Sequence, residues 1–283
     1  MCKKLSILAQ YLAPQRALTR FAGWMADCRW TWLKNKLILD FIERYQVDMK
    51  AAVIESSKDY PNFNSFFTRR LKPELRPIVQ GNTEIASPAD GSISQIGKIH
   101  QDTLLQAKGF DFDLVSLLGG SKKNADLFYD GNFATIYLSP RDYHRVHMPL
   151  SGTLRETIYI PGKLFSVNDK VASFIPKLFA RNERLVCLFD TNAGPMAVIM
   201  VGAMIVGSIN TVWSQEINPR KITTTQSFAE PINLSKGAEL GYFKLGSTAI
   251  VLFAKDKIEW TPHLQKSHSI CMGQLLGTLA HEK

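Results

Sequence analysis

From about Ser56 onward the chain is written in short apolar runs, rich in β-branched and aromatic residues and broken by clusters of Gly, Pro, Asn and Asp. Phe133-Ala134-Thr135-Ile136-Tyr137-Leu138, Ala197-Val198-Ile199-Met200-Val201 and Ala249-Ile250-Val251-Leu252-Phe253 are the clearest. Branched and aromatic side chains suit a pleated surface, and the intervening residues favour reversals, so the pattern reads as strands joined by many turns. The 283 residues are 45% hydrophobic and 21% charged, the balance of a globular chain with a substantial core and not of a disordered one. The expected fold class is α+β. N-terminal amphipathic helices over 1–55 lead into a β-rich, mostly antiparallel, sandwich-like domain over 56–283.

The first stretch has a different texture. Residues 1–36 carry seven basic side chains (Lys3, Lys4, Arg16, Arg20, Arg29, Lys34 and Lys36) against the single acid Asp27. Three of the five tryptophans, Trp24, Trp30 and Trp32, also lie there. Phe21, Trp24, Met25, Cys28 and Trp32 recur at helical spacing, which predicts one aromatic helix face. Such a face with basic flanks suits the plane of a membrane interface, where an indole keeps its ring apolar and its N–H wet. It equally suits packing onto the rest of the protein or onto a second subunit. No apolar run reaches the roughly 18 residues that span a bilayer. The basic Met1–Lys4 and apolar Leu5–Leu12 are interrupted by Gln10 and Pro14 and lack a small-residue cleavage site, which argues against a signal peptide. The formal charge of +9 favours anionic partners without choosing among nucleic acid, acidic lipid and metabolites. Cys2, Cys28, Cys187 and Cys271 fit no zinc or redox spacing and read as reduced. The run Leu114–Lys123, with Gly119-Gly120-Ser121, is expected to be a mobile loop. Pro161–Ser166 is expected to be a loop that could lie over a site.

Three separated motifs carry the chemistry. Leu245-Gly246-Ser247 is followed by Thr248. Ser87-Pro88-Ala89-Asp90-Gly91 lies far upstream, and Tyr137-Leu138-Ser139-Pro140-Arg141-Asp142-Tyr143-His144-Arg145-Val146-His147-Met148-Pro149 lies between them. Alone, Gly-Ser is a common turn element and Pro-Ala-Asp-Gly an ordinary turn sequence. Together, the three resemble the phosphatidylserine decarboxylases, pyruvoyl enzymes that make their own cofactor from an internal serine. Phe66-Phe67-Thr68-Arg69, Leu71-Lys72-Pro73, Arg76-Pro77-Ile78, Val201-Gly202-Ala203 and Val206-Gly207-Ser208-Ile209 fit the same family. The resemblance runs from about Phe63 to near the C-terminus.

A serine hydroxyl is a weak nucleophile and needs a base, usually a histidine oriented by a carboxylate. The resemblance assigns these parts to Ser247, His147 and Asp90. Ser247 attacks the carbonyl of Gly246, the amide becomes an ester, and elimination then breaks the chain into a β-chain, 1–246, and an α-chain, 247–283. The dehydroalanine left at 247 loses ammonia on hydration, so the former Ser247 becomes a pyruvoyl cap. Its ketone condenses with the substrate amine as a Schiff base and accepts the electrons left by carbon dioxide, as pyridoxal phosphate does elsewhere. The implied reaction converts phosphatidylserine to phosphatidylethanolamine. His144 is assigned to proton handling during turnover. His144 and His147 also have the spacing of a metal pair, but no acidic or thiol cluster accompanies them and the implied chemistry needs no metal.

Asp142 reads as a turn or ion-pair residue. Lys108, Arg141 and Arg145 are candidates for a lipid phosphate or carboxylate, with solvated or salt-bridged roles equally open. Arg69, Lys72 and Arg76 among aromatics could bind nucleic acid, yet no nucleic-acid module accompanies them. The expected partners are phosphatidylserine and an anionic membrane surface, with the two chains of one precursor held together and a homodimer of that unit as a further possibility. The expected location is peripheral, on the cytoplasmic side of a cell inner membrane. A pyruvoyl decarboxylase for a soluble amino acid and a non-enzymatic lipid-binding module are the alternatives.

Overall fold

The structure is a computed structural model, and it describes residues 10–11, 14–107, 110–203, 208–217, 220–244 and 247–280. Two helices open it: α1, Gln15–Asp27, and α2, Thr31–Tyr45. Helix α1 stops because Cys28 is extended, with ψ 131°; Gln46 ends α2 in the left-handed region, with φ 54°. The expected single aromatic face is therefore corrected. Phe21, Trp24 and Met25 lie on α1, Cys28 caps it, and Trp32 belongs to α2. Helical spacing continued through the break because the break itself, Cys28-Arg29-Trp30, contains no Gly or Pro to mark it.

These helices share a small core with the segment that follows. Ala26, Ile38, Val47, Tyr60, Phe63, Phe66 and Phe67 form one buried cluster that crosses residue 55. The short helix α3, Phe63–Phe67, is capped by Asn62, whose side chain accepts from the Ser65 N–H. Lys34, on the buried side of α2, donates to the carbonyls of Lys58 and Tyr60 at 2.7 Å each. Asn64 donates to Asp27 at 2.7 Å.

The body is built from strands β1, Glu84–Ala86, β2, Gly91–Lys98, β3, Thr103–Ala107, β4, Phe110–Asp113, β5, Asn132–Leu138, and β6, Arg145–His147. They continue as β7, Gly152–Ile160, β8, Arg184–Thr191, β9, Gly194–Gly202, β10, Ser208–Thr211, β11, Gln215–Glu216, and β12, Thr224–Leu234. The last are β13, Glu239–Lys244, β14, Ser247–Phe253, β15, Ile258–Trp260, β16, Ser269–Ile270, and β17, Leu275–Leu279. One eight-stranded sheet runs β12-β7-β8-β9-β14-β5-β2-β16, a four-stranded sheet runs β11-β10-β13-β6, and a three-stranded sheet runs β1-β17-β15. Every ladder between these strands is antiparallel, as the sequence led us to expect for an α+β chain.

Strand β14 is buried at every position, as is most of β9. A strand with no exposed alternate residues is covered on both faces, which is why its sequence reads as one apolar run. Strands β13 and β14 belong to different sheets, as do β9 and β10. The chain therefore changes sheet twice at one corner, where Ser247 pairs with Gly202 and Ser208 pairs with Lys244.

The expected loop over Leu114–Lys123 is instead largely helical. Helices α4, Leu114–Leu117, and α5, Lys122–Asp126, are capped by the side chains of Asp113 and Ser121. The fully buried Arg184 donates to the carbonyls of Ser116 and Leu117 and so fixes the segment from below. The glycines were visible in sequence; this distant guanidinium was not. Helices α6, Asp169–Ala172, and α7, Leu178–Arg181, complete the chain between β7 and β8.

Candidate active site

Ser247 is fully buried at the head of β14, between Leu138 of β5 and Gly202 of β9. Ladders on both sides fix its backbone. Gly246 and Leu245, with the expected scissile bond, lie outside the described residues, as do Lys108, Val206 and Gly207.

The segment between β5 and β6 delivers a histidine to this serine. Asp142 accepts from the Ser139 N–H at 2.7 Å, and its own N–H donates to the Ser139 carbonyl at 2.9 Å, closing a turn. Beyond the turn, His144 Nδ1 lies 3.3 Å from Ser247 Oγ and Nε2 lies 3.1 Å from the Ser139 carbonyl. A carbonyl oxygen only accepts, so Nε2 carries the proton and the Nδ1 lone pair faces the hydroxyl. Phe67 stacks on the imidazole with ring centroids 4.1 Å apart and planes at 25°. Burial pushes the His144 pKa down to about 3, and the Arg69 charge adds to the effect. The ring is thus a neutral acceptor aimed at the Ser247 hydroxyl, and its imidazolium is not a resting form.

His147 lies in β6 with its N–H donating to the Pro88 carbonyl at 2.8 Å, which sets β6 against the Ser87–Asp90 loop. Its Nδ1 donates to the Gly237 carbonyl at 2.8 Å, and its Nε2, left as acceptor, takes the Tyr143 hydroxyl at 3.1 Å. Burial lowers the His147 pKa, opposed by the Gly237 hydrogen bond and by the charges of Glu239 and Asp90. Gly237 presents that carbonyl from a turn with φ +78°, which glycine reaches without a steric penalty.

Asp90 is 5% exposed. It accepts from Arg76 Nε at 2.8 Å and from Arg76 Nη2 in a two-point ion pair, and Oδ1 also accepts from the Met272 N–H at 2.8 Å. Gly91 follows because a Cβ there would sit 2.2 Å from the Tyr137 carbonyl oxygen. The structure thus brings His144 to Ser247, and sets Asp90 and His147 on adjoining segments with hydrogen-bond partners of their own.

The remaining basic residues divide. Arg145 pairs with Glu239 at 2.6 Å and donates twice to the Thr68 carbonyl, so its charge is committed. Arg141 is mostly exposed. Arg69 is buried, donates to the Arg141 carbonyl at 2.9 Å and rests on Phe66. Lys72 pairs with Glu55 at 2.6 Å. Sequence reasoning missed Arg76 as the partner of Asp90, Tyr143 on His147 and Phe67 on His144. All three sit inside the quoted motifs, so their importance was legible but their pairing was not. Among the described residues, no group of three or more His, Cys, Asp or Glu side chains is placed to hold a metal.

Comparison with known sequences gives the family. The sequence model of the phosphatidylserine decarboxylase family matches residues 63–278, from α3 through most of β17, and a second model, described as PSD, matches residues 5–46. A phosphatidylserine decarboxylase proenzyme of Ectopseudomonas mendocina (strain ymp) is 54% identical over 98% of this chain and 99% of its own length. Proenzymes of the same name from Pseudomonas fluorescens (strain Pf0-1) and Stutzerimonas stutzeri (strain A1501) are 53% and 50% identical, over 98% and 99% of this chain and 98% and 96% of theirs. The chain therefore belongs to the phosphatidylserine decarboxylase family.

Proposed function

We propose that this protein decarboxylates phosphatidylserine to phosphatidylethanolamine, using a pyruvoyl group derived from Ser247 after the chain cuts itself between Gly246 and Ser247. The observation that carries the reading is the buried contact of Ser247 Oγ with His144 Nδ1 at 3.3 Å. A buried hydroxyl facing an unprotonated nitrogen is set up to lose its proton, and the proenzyme relatives supply the substrate and the idea of processing. The site also fits the group. A new terminus at Ser247 would stay anchored by β5 and β9. When present, the group supplies a ketone that condenses with a primary amine and takes up the electron pair left by carbon dioxide.

Two assignments of the processing base meet at Ser247. The resemblance gives it to His147, oriented by Asp90, and leaves His144 to proton handling during turnover. The contact favours His144, because it alone among the described histidines has a ring nitrogen within hydrogen-bond distance of Ser247 Oγ. In either case Arg76 and the Met272 N–H keep Asp90 in place. The exposed Phe21, Trp24, Trp30 and Trp32 would rest on the bilayer that supplies the lipid, on the cytoplasmic side of the inner membrane. No described helix is long and apolar enough to cross it. The cut chains remain one unit, and two such units can form a homodimer.

Intact-mass measurement tests the first step. The expected result is two species, the smaller of roughly 4 kDa, given the 31.8 kDa whole. Ser247→Ala should give one uncut chain. A single unmodified chain from the wild type would end the proposal. Time courses for His144→Ala and His147→Ala assign the base to whichever loss stops cutting. Turnover on liposomal phosphatidylserine and on free amino acids then fixes the substrate.

A further inference from the structure

A second site lies where α1 meets the body. Residues Pro161 to Phe165, within the segment expected to be a loop that could lie over a site, form one wall of a cavity of about 910 Å³. Arg20 of α1, Lys163, Arg181 at the end of α7 and Lys221 before β12 all line it, and no acidic residue does. None of the four forms an ion pair among the described residues. Four converging cations without a counter-charge repel one another, so the arrangement favours an anion between them.

The cavity is built rather than accidental. The Arg181 guanidinium rests over Tyr11 and Phe165, 5.5 and 5.0 Å from the ring centroids, and donates to the Tyr11 hydroxyl at 3.2 Å. Aromatic faces hold the guanidinium without consuming its charge. Phe165 is fixed in turn by the buried Asn182, which accepts from its N–H at 3.1 Å and donates to its carbonyl at 2.8 Å. Asn182 also donates to the Gly202 carbonyl at 2.9 Å, and Gly202 pairs with Ser247. The cationic wall is therefore tied to the same corner of the large sheet as the serine. On α1 itself, Leu18, Phe21 and Trp24 flank Arg20 and are exposed. Apolar side chains beside a cationic cavity match a molecule with an anionic head and acyl tails, not a free ion.

We propose that this cavity binds the phosphate of an anionic glycerophospholipid and so fixes α1 at the lipid surface. The proposal does not rest on the decarboxylase reading, and its test involves no turnover. The probe is dioctanoyl phosphatidylglycerol, which has no amine, titrated below its micellar concentration into the full wild-type chain by calorimetry. Saturable binding is expected, and Lys163→Gln with Arg181→Gln should weaken it by about tenfold or more, as lost charge-assisted contacts to phosphate would. Lys255→Gln, at the turn after β14, should leave it unchanged. Inorganic phosphate and glycerol 3-phosphate should bind far more weakly than the lipid. Equal affinity for those ions would assign the cavity to a free phosphate ester and overturn the lipid claim. Unaltered binding in the double variant, or equal weakening by Lys255→Gln, would overturn the site. Should the double variant fail to fold, exposed Lys221→Gln alone decides, with a loss of about threefold expected and no loss refuting the site.

Discussion

His144 should make the fold acid-sensitive by a calculable amount. The ring is fully buried against Phe67, and desolvation first, then the Arg69 charge, pushes its pKa down to about 3 from an ordinary 6.5. Above 6.5 the imidazole is neutral in both folded and unfolded chains and contributes nothing to pH dependence. Below 6.5 the unfolded chain takes up a proton that the folded chain refuses, so stability falls as pH falls, until the folded pKa is reached. The slope for one such group is about 1.36 kcal/mol per pH unit. Between about pH 8 and about pH 5 the loss is about 2 kcal/mol, because only the roughly 1.5 units below 6.5 count. The assay is urea unfolding of Ser247→Ala, which keeps the chain in one piece, with and without His144→Gln. His147, also lowered by burial, remains in both arms and cancels. The non-titrating variant should lose about 2 kcal/mol less than its parent on acidification. If the two respond alike, within about 0.5 kcal/mol, the ring is not held neutral by its surroundings.

Arg76→Gln strips Asp90 of its ion pair and should cost about 2 kcal/mol of stability, read by urea unfolding. A loss below about 0.5 kcal/mol would mean the Met272 N–H suffices to hold Asp90. Gly91→Ala drives a Cβ to within 2.2 Å of the Tyr137 carbonyl at a φ of +157°, and thermal unfolding should show a loss of about 2 kcal/mol or more. Tyr143→Phe removes the donor that stabilises neutral His147, so the His147 pKa should rise toward 6.5, measured by NMR titration; an unchanged value would break that link.

Much of this molecule could be read from its chain. The strand-and-turn texture after Ser56 anticipated the antiparallel body, because branched apolar runs such as Ala249–Phe253 have few other uses. The motif position of His144 meets that of Ser247, since the turn after β5 adjoins the head of β14, while Asp90 and His147 lie on segments joined to each other at the Pro88 carbonyl. What stayed hidden is non-local. Nothing in Phe66-Phe67 announces that the second ring will stack on a histidine far along the chain. The helix break at Cys28 was hidden for the opposite reason: aromatic spacing persisted across a backbone change that side chains alone do not record. The charge skew of the first 36 residues was visible at once, but its meeting with Lys163, Arg181 and Lys221 needed the fold.

The central place of β14 has a consequence for how such a molecule ages. Its ladders to β5 and β9, with β16 on β2 and β17 on β1, weave everything after Ser247 through two sheets. A break ahead of Ser247 would leave the weave intact, yet it would erase the tether that lets a heated chain find its own missing strand. Recovery from denaturation would change from a private event to an encounter between two molecules, slower the more dilute the sample. Maturation would then gain an electrophile and give up the ability to start over.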